Sequence, residues 1–453
     1  MSSKKRFKLS DAILTVICVV FVAEAAAPVA SIGNSQYFWW IFMIVTFLLP
    51  YGMISSELGT TYNGDGGLYD WISTAYPKGK MAARTAWYYW INFPLWMASL
   101  AVMCPSIYTI VTGQELGAFG SLVLQLLFIW VVVFISLFPV SDSVWILNGC
   151  AVIKVLLALI MGGLGIYGAI KYGVANAYTL PSLLPSFDLT SLSYISVILF
   201  NFLGFEVICT FTEDMRDPER EIPKAIIIGG IVIAAIYIFC AFGIGVAIPT
   251  HEINTDSGML DAMMLLVGKT GGFFIGLMAI LFLITLFGNM ISWSLGVNNV
   301  AAYAADHNDM PRCFGIRSKK NQMPMGSSVI NGIVASIVVV IGAFLPNSDL
   351  FWSFFALNLV MFLLAYLPIF PAFLKLRRED PDKPRPFKVR GGPGFLKFLA
   401  ILPMIMIVIA LIFTAIPLSL DPETLASTLP ITVGAIIFLI LGEILIAVRG
   451  RKT

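Results

Sequence analysis

Long apolar segments, separated by short polar connections, recur along the whole 453-residue chain. A run of about 20 apolar residues is long enough to cross the hydrocarbon core of a bilayer as a helix. Breaks at charges and at clusters of proline and glycine divide the chain into candidate spans. The twelve spans are approximately residues 10–33, 38–59, 84–112, 119–139, 143–170, 192–212, 223–248, 272–300, 327–346, 350–376, 395–417 and 429–449. The pattern predicts an all-α integral membrane protein with twelve transmembrane helices.

The composition supports a membrane protein and excludes two other classes. Hydrophobic residues make up 58% of the chain and charged residues only 12%, whereas soluble domains carry about 25% charged residues. A water-soluble enzyme of this length would lack the charge that covers a folded surface. The 34 phenylalanines, the 10 tryptophans and the small net charge of +2 exclude a disordered chain.

The basic residues predict the orientation of these helices. If the termini and the connections after even-numbered spans face the cytoplasm, 25 of the 28 lysines and arginines lie on that side, as is usual in membrane proteins. Lys4, Lys5 and Arg6 before an apolar run also resemble a signal peptide. The run continues past Ala25 to about Ile32, which favours an uncleaved first span. We therefore predict a multi-pass protein of the bacterial inner (plasma) membrane with both termini in the cytoplasm.

The motifs of common enzymes and metal centres are missing from the sequence. The Gly-Lys-Thr sequence at 268–270 imitates the end of a phosphate-binding loop, but Met263 stands where that loop needs a glycine. The two histidines, His251 and His307, are far apart, and the six cysteines are scattered without a CxxC pair. We therefore expect neither catalysis nor a cofactor or metal ion.

Three charged residues lie within predicted spans, where a charge is costly to bury and marks a functional site. They are Glu24 in span 1, Lys154 in span 5 and Glu206 in span 6. Pro28 follows Glu24 and Gly204 precedes Glu206, so both helices are expected to be interrupted. Interrupted helices at corresponding positions of two halves indicate a midplane site in inverted-repeat transporters. The alternative is that both carboxylates only bind backbone donors at the helix breaks.

Three groups of motifs resemble those of the amino acid–polyamine–organocation transporter superfamily. The first is Glu-Leu-Gly-Thr at 57–60, followed by Gly-Gly-Leu-Tyr-Asp-Trp at 66–71. The second is Phe-Leu-Gly-Phe-Glu at 202–206, followed by Ile-Pro-Lys-Ala-Ile at 222–226. The third is Ala-Ala-Tyr-Ala-Ala-Asp at 301–306. Their order and spacing match the superfamily over essentially the whole chain.

The resemblance implies a single transporter domain over residues 1–453. Helices 1–5, at about 10–170, and helices 6–10, at about 192–376, would form a five-plus-five inverted repeat with discontinuous helices 1 and 6. Helices 11 and 12, at about 395–449, would be peripheral. Substrate would bind between helices 1 and 6, with helices 3, 8 and 10 completing the site.

The resemblance also implies a set of binding residues. Phe200 falls where arginine–agmatine antiporters carry an aromatic gate, and Trp293 falls at the aromatic position of helix 8. Aromatic rings attract ammonium and guanidinium groups through the negative face of the ring; ordinary packing or lipid contact is the alternative for each ring. The predicted substrate-binding residues are Glu24, Ala25, Ala26, Tyr89, Asn92, Phe93, Trp96, Met97, Phe200, Asn201, Leu203, Glu206 and Trp293.

The sequence departs from the superfamily at the break in helix 1. Amino acid members usually have a Gly-Ser-Gly-like break whose free backbone donors hold the substrate carboxylate, whereas residues 23–28 here read Ala-Glu-Ala-Ala-Ala-Pro. An acidic side chain repels an α-carboxylate and attracts a cation. The departure favours a decarboxylated substrate such as putrescine, cadaverine or agmatine, with Glu24 as the anchor of its amine.

Lys154 matches a lysine on helix 5 of proton-coupled and exchanger members, where the ammonium group takes the position of a sodium ion. Burial disfavours the charged form of a lysine, so Lys154 can release a proton as solvent access alternates. Lys154 and Glu206 are the predicted coupling residues, and sodium coupling is disfavoured. A structural ion pair is the other interpretation of Lys154.

The leading hypothesis is a secondary transporter that moves a cationic amine or polyamine by alternating access, as an exchanger or a proton-coupled permease. The first alternative is an amino acid permease or exchanger of the same superfamily. A channel or a membrane receptor is the alternative of another class. The expected partners are a small-molecule substrate, membrane lipid and, in a coupled carrier, protons; nucleic acid is not expected.

Overall fold

The computed structural model describes residues 9–62, 64, 66–138, 144–205, 217–268, 272–344 and 349–449. These residues form helices and connecting turns, and no strand occurs among them. The α-helices are α1 (Leu9–Val20), α2 (Ala26–Ala30), α3 (Gln36–Met43), α4 (Leu49–Thr61), α5 (Leu68–Ala75), α6 (Met81–Thr112), α7 (Ala118–Ser136), α8 (Val144–Tyr172), α9 (Leu180–Leu183), α10 (Leu189–Phe200), α11 (Pro218–Ala247), α12 (Gly258–Val267), α13 (Gly272–Asp306), α14 (Met325–Gly342), α15 (Leu350–Tyr366), α16 (Ile369–Glu379), α17 (Pro393–Ala415) and α18 (Pro422–Arg449).

Within the described ranges, ten helical segments are long and apolar enough to cross a membrane. They are Gly33–Thr61, Met81–Thr112, Ala118–Ser136, Gly149–Tyr172, Glu219–Ala247, Gly272–Asp306, Met325–Gly342, Leu350–Glu379, Pro393–Ala415 and Thr424–Val448. The other two predicted spans, 10–33 and 192–212, overlap the shorter helices α1 and α10, and residues 206–212 lie outside the described ranges. The all-helical class predicted from the sequence is confirmed.

The first predicted span is interrupted near its middle. α1 ends at Val20, Val22 is extended with φ −125° and ψ 117°, and a 3-10 turn over Ala23–Ala25 leads into α2. Pro28 has no N–H to donate to the carbonyl of residue 24, so an unbroken helix could not keep its hydrogen-bond ladder here. The interruption places Glu24 on a short turn between two helical pieces.

The chain also leaves its helix at the end of α10. Asn201 and Phe202 form a turn, and Gly204 has φ +95°, a conformation that favours glycine. A Cβ atom at Gly204 would lie 2.9 Å from a ring atom of Trp293, so the glycine also permits close approach of the backbone to α13. Residues 206–216 lie outside the described ranges, and Glu206 is among them.

α6 lies at the centre of the bundle, where it contacts α7, α13, α14 and α15. Its residues 89–101 are all buried. α11 packs against α1 and α8. Gly165 and Gly243 bring α8 and α11 together, since a Cβ atom on Gly165 would lie 2.4 Å from the Gly243 Cα. The Glu24 turn itself contacts α8 and α13.

Candidate functional site

The carboxyl group of Glu24 is buried at the interruption, with 2% of the residue exposed. Its Oε1 accepts a hydrogen bond of 2.8 Å from the side-chain amide of Asn289. Its Oε2 has no hydrogen-bond partner. A carboxylate oxygen accepts up to two hydrogen bonds, so Oε2 retains the capacity to bind a cationic donor.

Asn289 connects Glu24 to Lys154. The Lys154 Nζ donates to the Asn289 Oδ1 over 3.0 Å, while the NH2 group of the same amide donates to Glu24. Lys154 is 1% exposed and Asn289 is fully buried. The three side chains come from the 3-10 turn, α8 and α13, and their contact joins two charges that the sequence identified separately.

Four aromatic side chains next to this group form a closed ring of contacts, which we call the aromatic cluster. Trp96 on α6 contacts Phe200 on α10 and Trp293 on α13, with ring centroids 5.2 and 5.5 Å apart. Phe362 on α15 contacts Phe200 and Trp293 at 5.5 and 5.6 Å. All four contacts are edge-to-face, a favoured geometry for aromatic pairs. The cluster therefore joins the helices that correspond to predicted spans 3, 6, 8 and 10.

The aromatic cluster borders the interruption of the first span. The indole Nε1 of Trp293 donates to the Val19 carbonyl over 2.9 Å. The Trp96 indole lies close to the Glu24 carboxyl group, but its Nε1 is not in hydrogen-bonding geometry with any acceptor. A buried carboxylate beside aromatic faces is a combination suited to an ammonium or guanidinium group.

The other predicted residues surround the cluster in different ways. Tyr89 lies against Phe362, with ring centroids 5.9 Å apart. The Asn92 side chain donates to the Tyr89 carbonyl within α6, so its NH2 group is engaged by its own helix. The remaining apolar members are buried: Ala25, Ala26, Phe93, Met97 and Leu203. Glu206 lies outside the described residues, so its roles in binding and coupling stay predictions.

Two fully buried asparagines near the cluster have side chains without hydrogen-bond partners: Asn201 and Asn358. Asn201 directly follows Phe200. Asn358 shares a face of α15 with Phe355 and Phe362, because residues three and four apart lie on one side of a helix, and both rings contact Phe200. Since an unpaired buried amide is costly, both offer hydrogen bonds to a polar ligand.

Asn289, Asn358 and Phe362 were missed from the sequence. The two asparagines stand in strongly apolar helices, and polar groups at membrane depth are the same kind of signal as buried charges. Phe362 is one of 34 phenylalanines, and no local pattern distinguishes it. The predicted set was therefore incomplete on α13 and α15.

Glu57, a second buried carboxylate at the end of α4, belongs to the first of the recognised motifs. It pairs with Arg377 of α16 and with Arg385, the latter at 3.1 Å, and accepts the Val389 N–H over 2.7 Å. The side chains of Glu57 and Arg385 are only 2% and 3% exposed. These bonds fix the connection after α16 against α4.

The described part of the chain contains no group of three histidine, cysteine, aspartate or glutamate residues that could hold a metal ion. The cysteines whose side chains the structure describes are free thiols: Cys104, Cys150, Cys240 and Cys313. The polar side chains described at the candidate site carry carboxyl, amine, amide and indole groups.

Comparison with known proteins gives consistent matches along the chain. The family model described as amino acid permease matches residues 7–441. A probable agmatine/putrescine antiporter of Lactococcus lactis is 63% identical over 445 residues, which cover 98% of this chain and 95% of that protein. A probable polyamine transporter of Arabidopsis thaliana is 23% identical, over 85% and 73% of the two chains. A glutamate/γ-aminobutyrate antiporter of Lactococcus lactis is 20% identical, over 92% and 85%.

The matches confirm the resemblance that the motifs at 57–71, 202–226 and 301–306 suggested. The family model covers the interruption near Glu24, the central helix α6 and the aromatic cluster. The relatives are described as antiporters and transporters, which agrees with the apolar helices of the structure. The chain belongs to the amino acid permease family, and it is a multi-pass membrane transporter.

Proposed function

We propose that this protein exchanges cationic amines of the agmatine and putrescine type across the plasma membrane by alternating access. The observation that carries the proposal is the buried Glu24 carboxyl group, whose Oε2 has no hydrogen-bond partner beside the aromatic cluster. The name of the relative that is 63% identical supports the same class of substrate.

The chemistry of these amines fits the groups of the site. Agmatine and putrescine share a primary ammonium group on a four-carbon chain and differ at the other end. The shared ammonium would bind Glu24 Oε2 through a charge-assisted hydrogen bond, which is stronger than a neutral one. The carbon chain would pack against the aromatic cluster, and the variable end would bond the unpartnered amides of Asn201 and Asn358.

The same groups favour exchange over one-way transport. Without a substrate, Glu24 Oε2 and the two amides remain buried without partners, which raises the free energy of any occluded state. A bound diamine would supply hydrogen-bond donors to Glu24 Oε2 and the amide oxygens, together with a positive charge in addition to that of Lys154. The loaded carrier would therefore cross between its two orientations more readily than the empty one.

Coupling is assigned to Lys154 and Glu206. Lys154 would replace a sodium ion and carry a proton, and its bond to Asn289 would make its protonation depend on the state of Glu24. The carbonyl of Val19, a type of group that coordinates sodium in interrupted helices, already accepts a bond from Trp293. Both features disfavour sodium coupling.

The finer architecture is proposed from the family resemblance. Twelve helices would cross the membrane within one domain, residues 1–453, as a five-plus-five inverted repeat. The second interrupted helix would continue through Glu206. Helices 11 and 12, at about 395–449, would be peripheral, lipid would surround the bundle, and both termini would face the cytoplasm.

Counterflow in proteoliposomes tests the proposed function. Vesicles loaded with unlabelled putrescine should take up labelled agmatine faster than empty vesicles, and uptake should saturate. Competition by agmatine against arginine, and by putrescine against ornithine, identifies the substrate class. If the amino acids compete and the amines are inert, the protein is an amino acid exchanger, as the relationship to a glutamate/γ-aminobutyrate antiporter allows.

A further inference from the structure

One tyrosine hydroxyl binds both backbone groups of the residue at the interruption of the first span. The Tyr237 Oη accepts a hydrogen bond of 2.9 Å from the Val22 N–H and donates one of 2.8 Å to the Val22 carbonyl. A phenolic hydroxyl can donate one bond and accept others, so the two contacts are compatible. Tyr237 comes from α11, 215 residues away in the chain.

The ring of Tyr237 is held in this position by its neighbours. It stacks on Trp40 with centroids 5.3 Å apart and meets the edge of Phe21 at 4.7 Å. Tyr237 is fully buried, so water does not compete for its hydroxyl. The hydroxyl is therefore a fixed part of the interruption.

Other backbone donors of the interruption are also engaged. The Ala25 N–H donates to the Val22 carbonyl over 3.2 Å, and the Ala26 N–H donates to the Ala23 carbonyl. The backbone donors of Val22, Ala25 and Ala26 are thus occupied within the protein.

Interrupted helices in transporters use free N–H groups at the break to bind the anionic group of a substrate. Here Tyr237 fills the Val22 donor before any substrate arrives. We propose that Tyr237 is a specificity-determining residue, which excludes substrates with an α-carboxylate by occupying the backbone donor that would bind it. The inference rests on the proposed amine exchange and adds a cause of selectivity separate from the charge of Glu24.

The substitution Tyr237→Phe tests this role, because it removes the hydroxyl and keeps the ring contacts. Arginine, the carboxylated parent of agmatine, should become a stronger inhibitor of agmatine uptake as the Val22 N–H is released. One added hydrogen bond to the arginine carboxylate corresponds to a fall of about tenfold or more in the inhibition constant of arginine. An unchanged constant for arginine would overturn the role of Tyr237.

Tyr62→Phe is the matched control, since the Tyr62 hydroxyl donates to Asp380 over 2.9 Å, away from the interruption. Tyr62→Phe should leave the inhibition constant of arginine unchanged from that of the unsubstituted protein. If Tyr62→Phe lowers the inhibition constant of arginine as much as Tyr237→Phe does, the effect is nonspecific and the inference is wrong.

Glu24→Gln provides a second test that does not depend on recovering folded Tyr237→Phe protein. It removes the repelling charge and leaves the Val22 N–H occupied, so the inhibition constant of arginine should fall by less than about tenfold. A strong gain of arginine inhibition would show that charge alone excludes the carboxylate. Failure of the unsubstituted protein to exchange agmatine would instead overturn the proposed function, which separates the two outcomes.

Discussion

Glu24 and Glu57 are both buried glutamates, with 2% and 1% of the residue exposed, but their partners differ. Glu57 is held by Arg377, Arg385 and the Val389 N–H. Glu24 has an amide donor on Oε1 and no hydrogen-bond partner on Oε2. A carboxylate whose charge is matched within the protein joins two segments, whereas one with an unbound oxygen keeps the capacity to bind a ligand.

Removal of the Glu57 charge has the largest expected effect. Glu57→Gln leaves Arg385 buried without its counterion, and breaking such a pair costs about 3–5 kcal/mol of unfolding free energy. The thermal unfolding midpoint of the detergent-purified protein should fall by several degrees. Glu443→Gln is the matched control, because the Arg84–Glu443 pair is 38% and 41% exposed and such pairs contribute little. Equal shifts in both variants would contradict the structural role of Glu57.

Glu24→Gln should change binding more than stability. A glutamine at this position can still accept the Asn289 bond, but it loses the charged acceptor for the substrate ammonium. A hydrogen bond to a charged group is worth about 1.5–3 kcal/mol, so agmatine affinity should fall roughly ten- to hundredfold. Agmatine-dependent thermal stabilisation or competition binding measures the change. Unchanged affinity would remove Glu24 as the amine anchor.

Lys154→Ala should alter the response to pH. If Lys154 carries the proton, the initial rate of agmatine uptake in the variant should lose most of its dependence on external pH. Lys171→Ala is the control, since Lys171 lies exposed at the end of the same helix and donates to Tyr167. Full pH-dependent uptake by the Lys154→Ala protein would leave Lys154 with a structural role only.

Asp256→Asn has the smallest expected effect. Burial, and then the nearby Asp349, raise the pKa of the Asp256 carboxyl group, which lies between α11 and α12. The folded state therefore binds this proton more tightly than the unfolded state, so ionisation destabilises the fold above the unfolded pKa and not below it. The substitution should raise the unfolding midpoint slightly at neutral pH, by roughly 1 °C, and not in acid.

Asp421→Asn should shift the unfolding midpoint in the opposite direction. Hydrogen bonds from Ser419 and Thr424 lower the pKa of Asp421 to about 2, so its charged form stabilises the fold above the unfolded pKa, and that stability is lost as the pH falls through the folded pKa. Its substitution should lower the midpoint at neutral pH. If both substitutions shift the midpoint in one direction, the assigned environments are wrong.

The sequence predicted part of the candidate site. Glu24 and Lys154 were predicted from charges at membrane depth, and Trp96, Phe200 and Trp293 from the family resemblance. Asn289, Phe362 and Tyr237 were not found, since each acts on a residue in another helix. The Asn289–Glu24 bond joins residues 265 positions apart, and the Lys154–Asn289 bond joins residues 135 apart.

The scarcity of charge by itself determined that this chain is a helical membrane protein, because backbone groups in lipid must be satisfied within each helix. The sequence also located the interruption at Glu24, since Pro28 cannot donate the backbone hydrogen bond that an unbroken helix needs there. Only the tertiary structure decided that Glu57 is neutralised by two arginines while Glu24 keeps an unbound oxygen. The physical reason is that the free energy of a buried charge depends on which distant donors reach it, and those donors come from other helices.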